Sequence, residues 1–154
     1  MKYFGKNWYN NECNAETGNT KQQEEYLAYE KANTPNWYQQ LSFHDSIVIN
    51  VFKDENSTVF RIDLKRNTIE GTVYSLLFIN YNVLEMCQLL ESIVISSEIY
   101  FENGQIEFHL MVDTYKNNEL TLEYFTIRCE KIEFMINGKH CGYYLPVPLT
   151  IQST

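Results

Sequence analysis

The sequence predicts an α+β fold, in which short N-terminal helices pack on a mainly antiparallel β-sheet curled as a half-barrel or sandwich. Three observations lead to this prediction. Aromatic residues make up 15% of the chain, with 12 Tyr and 9 Phe, and such residues are enriched in strands. Near residue 42 the hydrophobic pattern changes from helical spacing to a period of two. Turn sequences then recur between the alternating segments.

The chain has 154 residues, of which 44% are hydrophobic, and this is enough to bury one core. No repeat, low-complexity tract or long linker divides the sequence. We therefore expect a single domain over residues 1–154, with a helical part at residues 1–42 and a β-rich part at residues 43–154.

Two short helices are predicted in the helical part. Residues 20–23 have the pattern of a capping box, and Tyr26 and Tyr29 after it share one helical face. Thr34 followed by Pro35 predicts a cap with Pro at the first position of a second short helix. The apolar side of this helix is formed by Trp37, Tyr38 and Leu41.

A further helix before residue 10 would place Phe4 and Trp8 one turn apart. The helical part has few other large apolar residues with which to contact the sheet. We therefore expect Trp8, Trp37 and Phe43 to be largely buried between the helices and the sheet.

The β-rich part is predicted to begin with a hairpin of residues 47–52 and 59–64, whose apolar and polar residues alternate. Residues 72–79 are more fully apolar, which is typical of a strand in the middle of a sheet. Residues 95–112 are predicted to form a second hairpin that turns at Asn103-Gly104, because this pair favours a type I′ turn.

The remaining segments leave alternatives open. Residues 120–136 can form one bent strand or two, followed by a turn at Asn137-Gly138. Residues 83–90 fit either a helical turn or a short strand. Two prolines limit residues 143–151 to an edge strand or an irregular extension.

The net charge of −8 would repel the phosphate backbone of a nucleic acid, so we expect no nucleic-acid binding. The excess is concentrated in the β-rich part, which carries 8 Lys and Arg against 15 Asp and Glu. Such a surface either keeps the protein soluble or attracts a basic protein partner.

The N-terminal residues contain no uninterrupted apolar run of the kind found in signal peptides, and no later stretch reaches the roughly 18 apolar residues of a membrane span. We expect a cytoplasmic protein that binds no membrane. In that reducing compartment the four cysteines are predicted to be free thiols. The sequence indicates no cofactor.

The run Phe43-His44-Asp45-Ser46 lies where the helical part meets the first strand. A His-Asp pair binds metal in helical phosphohydrolases, but further ligands would have to come from His109 or His140, both in β patterns. The structural alternative is that the Asp45 or Ser46 side chain hydrogen-bonds nearby backbone N–H groups. We name His44, Asp45 and Ser46 as candidate binding residues and predict no metal site.

No residue pattern specifies catalysis. The sequence has no Cys-x-x-Cys and no glycine fingerprint for nucleotide phosphates, and nothing in it marks one thiol as activated. Several carboxylates alternate with apolar residues, which is typical of strand faces in water; they are Glu98, Glu102, Glu107 and Glu123. We assign no catalytic residue.

Residues 1–9, in the pattern M-K-Y-F-x-K-x-W-Y, and Phe43-His44-Asp45-Ser46-Ile47 resemble a family of uncharacterised bacterial cytoplasmic proteins. In that family an aromatic N-terminal segment and helices precede a His-Asp junction and a β-rich half, and residues 98–109 resemble its later hairpin. The helical part of this chain is shorter than in typical members. The His-Asp-Ser junction is also similar to one in small β-rich immunity-type proteins of bacterial toxin systems. Neither resemblance implies catalytic residues.

Together these observations favour a non-enzymatic protein-binding domain, of which an immunity-like protein is one form. A small-molecule-binding β-cup lined by Tyr and Phe is the alternative. A metal-dependent hydrolase is the third possibility. The sequence leaves the oligomeric state open.

Overall fold

The computed structural model describes residues 21–53 and 55–146, except for the side chains of residues 140–144 and 146. Within these residues the chain forms two helices and nine strands. The helices are α1 (Lys21–Asn33) and α2 (Asn36–Gln39). The strands are β1 (Ile47–Lys53), β2 (Val59–Lys65), β3 (Val73–Ile79), β4 (Asn82–Glu85), β5 (Ile93–Glu102), β6 (Gln105–Asp113), β7 (Leu122–Cys129), β8 (Lys131–Ile136) and β9 (Lys139–Pro146).

This confirms the predicted α+β class with a mainly antiparallel sheet. The predicted helix before residue 10, the burial of Trp8 and the cap at Thr20 lie outside the described residues.

The end of α1 is fixed by Thr34 and Pro35. The backbone N–H and the hydroxyl of Thr34 both donate to the carbonyl of Glu30, at 2.9 and 2.6 Å. Pro35 then takes the N-cap position of α2, with φ of −70°. The prediction that Thr34 caps the second helix is therefore wrong, because its hydroxyl donates to the first helix. The predicted place of Pro35 is also wrong by one residue, because the helix begins at Asn36.

Every pair of neighbouring strands is antiparallel, and the strand order is β4-β7-β6-β5-β1-β2-β3-β8-β9. The structure confirms both predicted hairpins, β1–β2 and β5–β6. Asn103 and Gly104 have φ of 52° and 73°, as a type I′ turn requires. The structure also confirms that the strand predicted at residues 72–79 lies inside the sheet, because β3 lies between β2 and β8.

The structure resolves the open alternatives. Residues 120–136 form two strands, of which β7 lies beside β6 and β8 lies beside β3. Residues 83–90 are a strand only as far as Glu85 and are irregular after it. The strand β9 has one neighbour in the described sheet and ends at Pro146, which is consistent with the predicted edge strand.

The sheet has two parts, which are joined where β1 meets β5. In the strand register, β1 and β5 pair only at Ile47 and Ile93. Beyond this pair, β1 continues beside β2 and β5 continues beside β6. The inner faces of the two parts nevertheless share one core. The rings of Phe60 and Phe125 stack with centroids 5.6 Å apart, and those of Phe78 and Phe108 lie 5.4 Å apart.

Aromatic side chains from α2 and the following loop extend this core. The Trp37 ring lies 5.2 Å from that of Phe134, and the Phe43 ring lies 6.3 Å from that of Phe108. Phe43 is buried, as predicted. Trp37 is only partly buried, so the prediction for it holds in part.

Candidate functional site

The junction between α2 and β1 is held by its own backbone. Asp45 has φ of 62°, in the left-handed region, and its N–H donates to the carbonyl of Val94 at 2.9 Å. The N–H of Ser46 donates to the carbonyl of Phe43, and the carbonyl of Ser46 accepts from Val94. The junction is therefore tied both to itself and to the start of β5.

Of the polar side chains at the junction, His44 hydrogen-bonds the sheet. Its Nδ1–H donates to the carbonyl of Ile95 at 2.6 Å, and its Nε2 lies 3.5 Å from Oδ2 of Asp45. The Ser46 side chain is fully buried, and its Oγ has no hydrogen-bond partner among the described residues. Only His44 and Asp45 therefore present side chains to solvent at this place.

The prediction that the Asp45 or Ser46 side chain ties backbone N–H groups is wrong in the described structure. The left-handed conformation at Asp45 lets the chain reverse, so that its own N–H groups reach carbonyls directly. Aspartate tolerates this conformation better than most residues do.

We expect Asp45→Ala to lower the free energy of unfolding by about 1 kcal/mol, because alanine is strained at positive φ. Asp45→Gly, which removes the same carboxylate, should be no less stable than the wild-type protein. Urea unfolding of both variants measures this difference. If the two variants lose equal stability, the carboxylate rather than the backbone fastens the junction.

In residues 21–53 and 55–146, as far as their side chains are described, no three His, Cys, Asp or Glu side chains lie close enough together to hold a metal ion. The two further ligands considered from the sequence, His109 and His140, do not form a described metal site with His44. His109 lies in a different cluster on β6, and the side chain of His140 is outside the description.

That cluster occupies the outer face of β5, β6 and β7. The strand register places Glu98, His109 and Thr126 in one row across the three strands. Tyr100, Glu107 and Arg128 form the next row. The carboxylates were predicted to face water, but Glu98 is 0% exposed, so for this residue the prediction is wrong.

The cluster is a hydrogen-bonded network centred on Glu107. This carboxylate accepts from Arg128 at 2.9 Å and from Nε2–H of His109 at 2.8 Å. Burial alone would raise the pKa of Glu107, but the hydrogen bonds from Arg128 and His109 outweigh it and the pKa lies below its ordinary value. Burial lowers the pKa of His109, which favours the neutral imidazole.

The neutral His109 ring can also accept from the Thr126 hydroxyl, 3.5 Å from Nδ1. A hydroxyl, an imidazole and a carboxylate in series resemble a hydrolytic triad in composition. However, the His109 side chain is 9% exposed and the Glu107 side chain 16%, so the network is a buried support of this sheet face.

A pocket of about 360 Å³ opens at the end of β4 and the start of β7. It is lined by residues 85–88, by Lys116 in the β6–β7 loop, and by Glu123 and Tyr124 at the start of β7. Sequence reasoning missed this site, because its residues come from three separated segments and residues 83–90 had no clear pattern.

The charged groups of the pocket are Glu85, Lys116 and Glu123. The Lys116 ammonium donates to Oε1 of Glu123 at 2.7 Å, whereas Oε2 of Glu123 is buried with no hydrogen-bond partner among the described residues. Burial, together with the charges of Glu123 and Glu85, raises the pKa of the Cys87 thiol to about 12, and Lys116 only partly opposes this effect. With two carboxylates and one ammonium among its lining residues, the pocket has a net negative charge.

Comparisons of the chain with protein-family models, curated proteins and solved structures gave no match. Neither described helix has the length and apolar character needed to cross a membrane.

Proposed function

We propose that this chain is a non-enzymatic protein-binding domain, and that the surface around the pocket at Glu85 and Glu123 binds a basic partner. One observation carries the proposal: a pocket lined by two carboxylates opens in parts of the chain that also have exposed apolar side chains. Patches that combine apolar and charged groups in this way are typical of protein-binding surfaces.

Exposed apolar residues lie in or beside two of the three segments that line the pocket. Met86 lines the pocket and is 53% exposed. Leu84 and Tyr115 precede the lining residues Glu85 and Lys116 and are exposed, and Leu120 in the β6–β7 loop is exposed as well. A partner that covers this surface would bury apolar area and would bring a cationic side chain to Glu85 and Glu123.

The two thiols in the described part of the chain also favour binding over nucleophilic catalysis. Burial raises the pKa of both Cys87 and Cys129 to about 12, so both remain protonated near neutral pH. The thiolate is the nucleophilic form of cysteine, and a protonated thiol reacts poorly.

The small-molecule β-cup has less support. A cup lined by Tyr and Phe needs space between its aromatic side chains. In the described core, Phe60, Phe78 and Phe125 fill the space between the two parts of the sheet, and their ring centroids are 5.6 to 6.4 Å apart. The pocket at Glu85 and Glu123 is lined mainly by polar and charged groups.

The same proposal includes a half-barrel or sandwich shape for the sheet, with the helices packed on it. Two observations support this shape: β1 and β5 separate after Ile47 and Ile93, and rings from both parts meet in the core.

A cytoplasmic setting and an immunity-like role are also proposed, and both are supported by the resemblance at the His44–Ser46 junction. The exposed His44 and Asp45 are the junction residues that a partner could contact.

Affinity capture from an extract of the source organism tests the proposal with three baits: the wild-type protein, the pocket variant Glu85→Gln/Glu123→Gln, and the control variant Glu55→Gln/Glu70→Gln. The control changes the net charge equally at two exposed turn residues that do not line the pocket. We expect a basic protein that the wild type and the control retain and the pocket variant loses. If no protein shows this pattern, or if the retained protein is acidic, the proposal is wrong.

A further inference from the structure

One edge of β5 is covered by side chains where a neighbouring strand would otherwise lie. On one side β5 pairs with β6 along its length, whereas on the other side β1 pairs with it only at Ile93. Beyond that point, side chains of the described residues bond the β5 backbone at three places. The His44 ring bonds the carbonyl of Ile95, and two tyrosine hydroxyls accept from the N–H groups of Ile99 and Phe101, each at 3.0 Å.

The two hydroxyls belong to Tyr26 and Tyr29 of α1. Residues three apart lie on one face of a helix, and alternate residues of a strand direct their N–H groups to the same edge. Both tyrosine rings also pack against Tyr100, with centroid distances of 6.4 and 5.9 Å. The helix therefore contacts both the edge of β5 and a ring beside that edge.

Tyr26 is held in this position from within α1. Its hydroxyl hydrogen-bonds the carboxylate of Glu30, one turn further along the helix. The hydroxyl thus donates to Glu30 while it accepts from the backbone of β5.

The rest of α1 contributes little apolar burial. Tyr26 is the only buried residue of the helix, and Leu27 is 53% exposed. Segments with few buried apolar contacts open at a lower free energy than the whole fold. The attachment of α1 to the sheet therefore depends strongly on the tyrosine pair.

We propose that α1 is a releasable cover for the β5 edge, and that release of the Tyr26 and Tyr29 hydroxyls exposes this edge to pairing with a second copy of the chain. An uncovered strand edge has a row of unpaired N–H and C=O groups that can bond another strand. Identical edges are self-complementary in antiparallel pairing about a two-fold axis. This inference does not rest on the proposed function.

The test compares the wild-type protein with Tyr26→Phe/Tyr29→Phe, which removes both hydroxyls and keeps both rings. Tyr81→Phe is the control, because it also removes a tyrosine hydroxyl from a partly buried ring, one that packs on Phe60. At a concentration low enough for the double variant to be monomeric, we expect its amide exchange at Ile99 and Phe101 to rise about tenfold. Its average mass in sedimentation should exceed that of the wild type and should increase with concentration.

Wild-type exchange at both amides in the dilute, monomeric double variant would overturn the proposal. Rapid exchange with an unchanged average mass at the highest concentration would also overturn it, because the exposed edge would then not pair. If the double variant does not fold, Tyr29→Phe alone gives the same comparison at the Phe101 amide, with the same two outcomes deciding.

Discussion

Replacing Phe108 by Ala is expected to lower the free energy of unfolding by about 3–5 kcal/mol, which is the range for a buried Phe that leaves a cavity. Phe108 lies on β6 and is fully buried. Its ring contacts Phe78 of β3 at 5.4 Å and Phe43 at 6.3 Å. Its loss would therefore weaken the contact between the two parts of the sheet and the contact with the loop before β1.

Phe52→Ala is the matched control, because it makes the same chemical change on a strand where the side chain is 55% exposed. We expect this variant to lie within about 0.5 kcal/mol of the wild type. Chemical unfolding followed by fluorescence measures both. If the two variants lose similar stability, Phe108 does not link the two parts of the sheet.

Asp113→Ala is the second large effect, with an expected loss of about 2–4 kcal/mol. Asp113 is 2% exposed at the end of β6, and its Oδ1 accepts from the N–H groups of Tyr115 and Thr121 at 3.0 and 3.1 Å. Without the carboxylate, both donors at the base of the β6–β7 loop lose their partner. Amide exchange at Tyr115 and Thr121 should rise with the loss of stability.

Asp113→Asn keeps an acceptor oxygen at the same place and should lose less than half as much stability as Asp113→Ala. Equal losses in the two variants would mean that the negative charge, rather than the two hydrogen bonds, is what the loop requires.

Much of the strand pattern could be predicted from the sequence, because it depends on local signals. Asn103-Gly104 gives the β5–β6 turn, since both residues accept positive φ. The alternation in residues 47–64 likewise gives the first hairpin. Neither signal contains information on which hairpin lies beside which.

The partners of β7 and β8 could not be predicted, because only the folded sheet brings distant strands together. One residue, Glu130, separates the two strands, yet they pair with different parts of the sheet. Burial of Glu98 could not be predicted for a similar reason. Alternation marks it as a residue on the outer face, but whether that face meets water depends on what covers it.

The sequence analysis expected the Asp45 carboxylate to accept hydrogen bonds from backbone N–H groups, but in the structure Asp113 does this. Asp45 precedes a strand and Asp113 ends one. Each is followed by a residue with a hydroxyl group, so the local sequence does not distinguish the buried carboxylate from the exposed one. The structure shows that Asp113 is buried with two backbone donors, whereas the Asp45 side chain is 67% exposed. Similarly, the pocket residues Glu85 and Glu123 lie 38 positions apart, so no spacing rule connects them.

The central claim is that the surface around the pocket binds a basic partner. The most direct measurement adds the captured partner to isotope-labelled wild-type protein and records which backbone amide NMR signals shift. We predict that the signals that shift are those of residues 84–88 and 115–124, and that Glu85→Gln/Glu123→Gln abolishes these shifts. Shifts confined to β8 and β9, or a footprint that the double substitution leaves unchanged, would contradict the account.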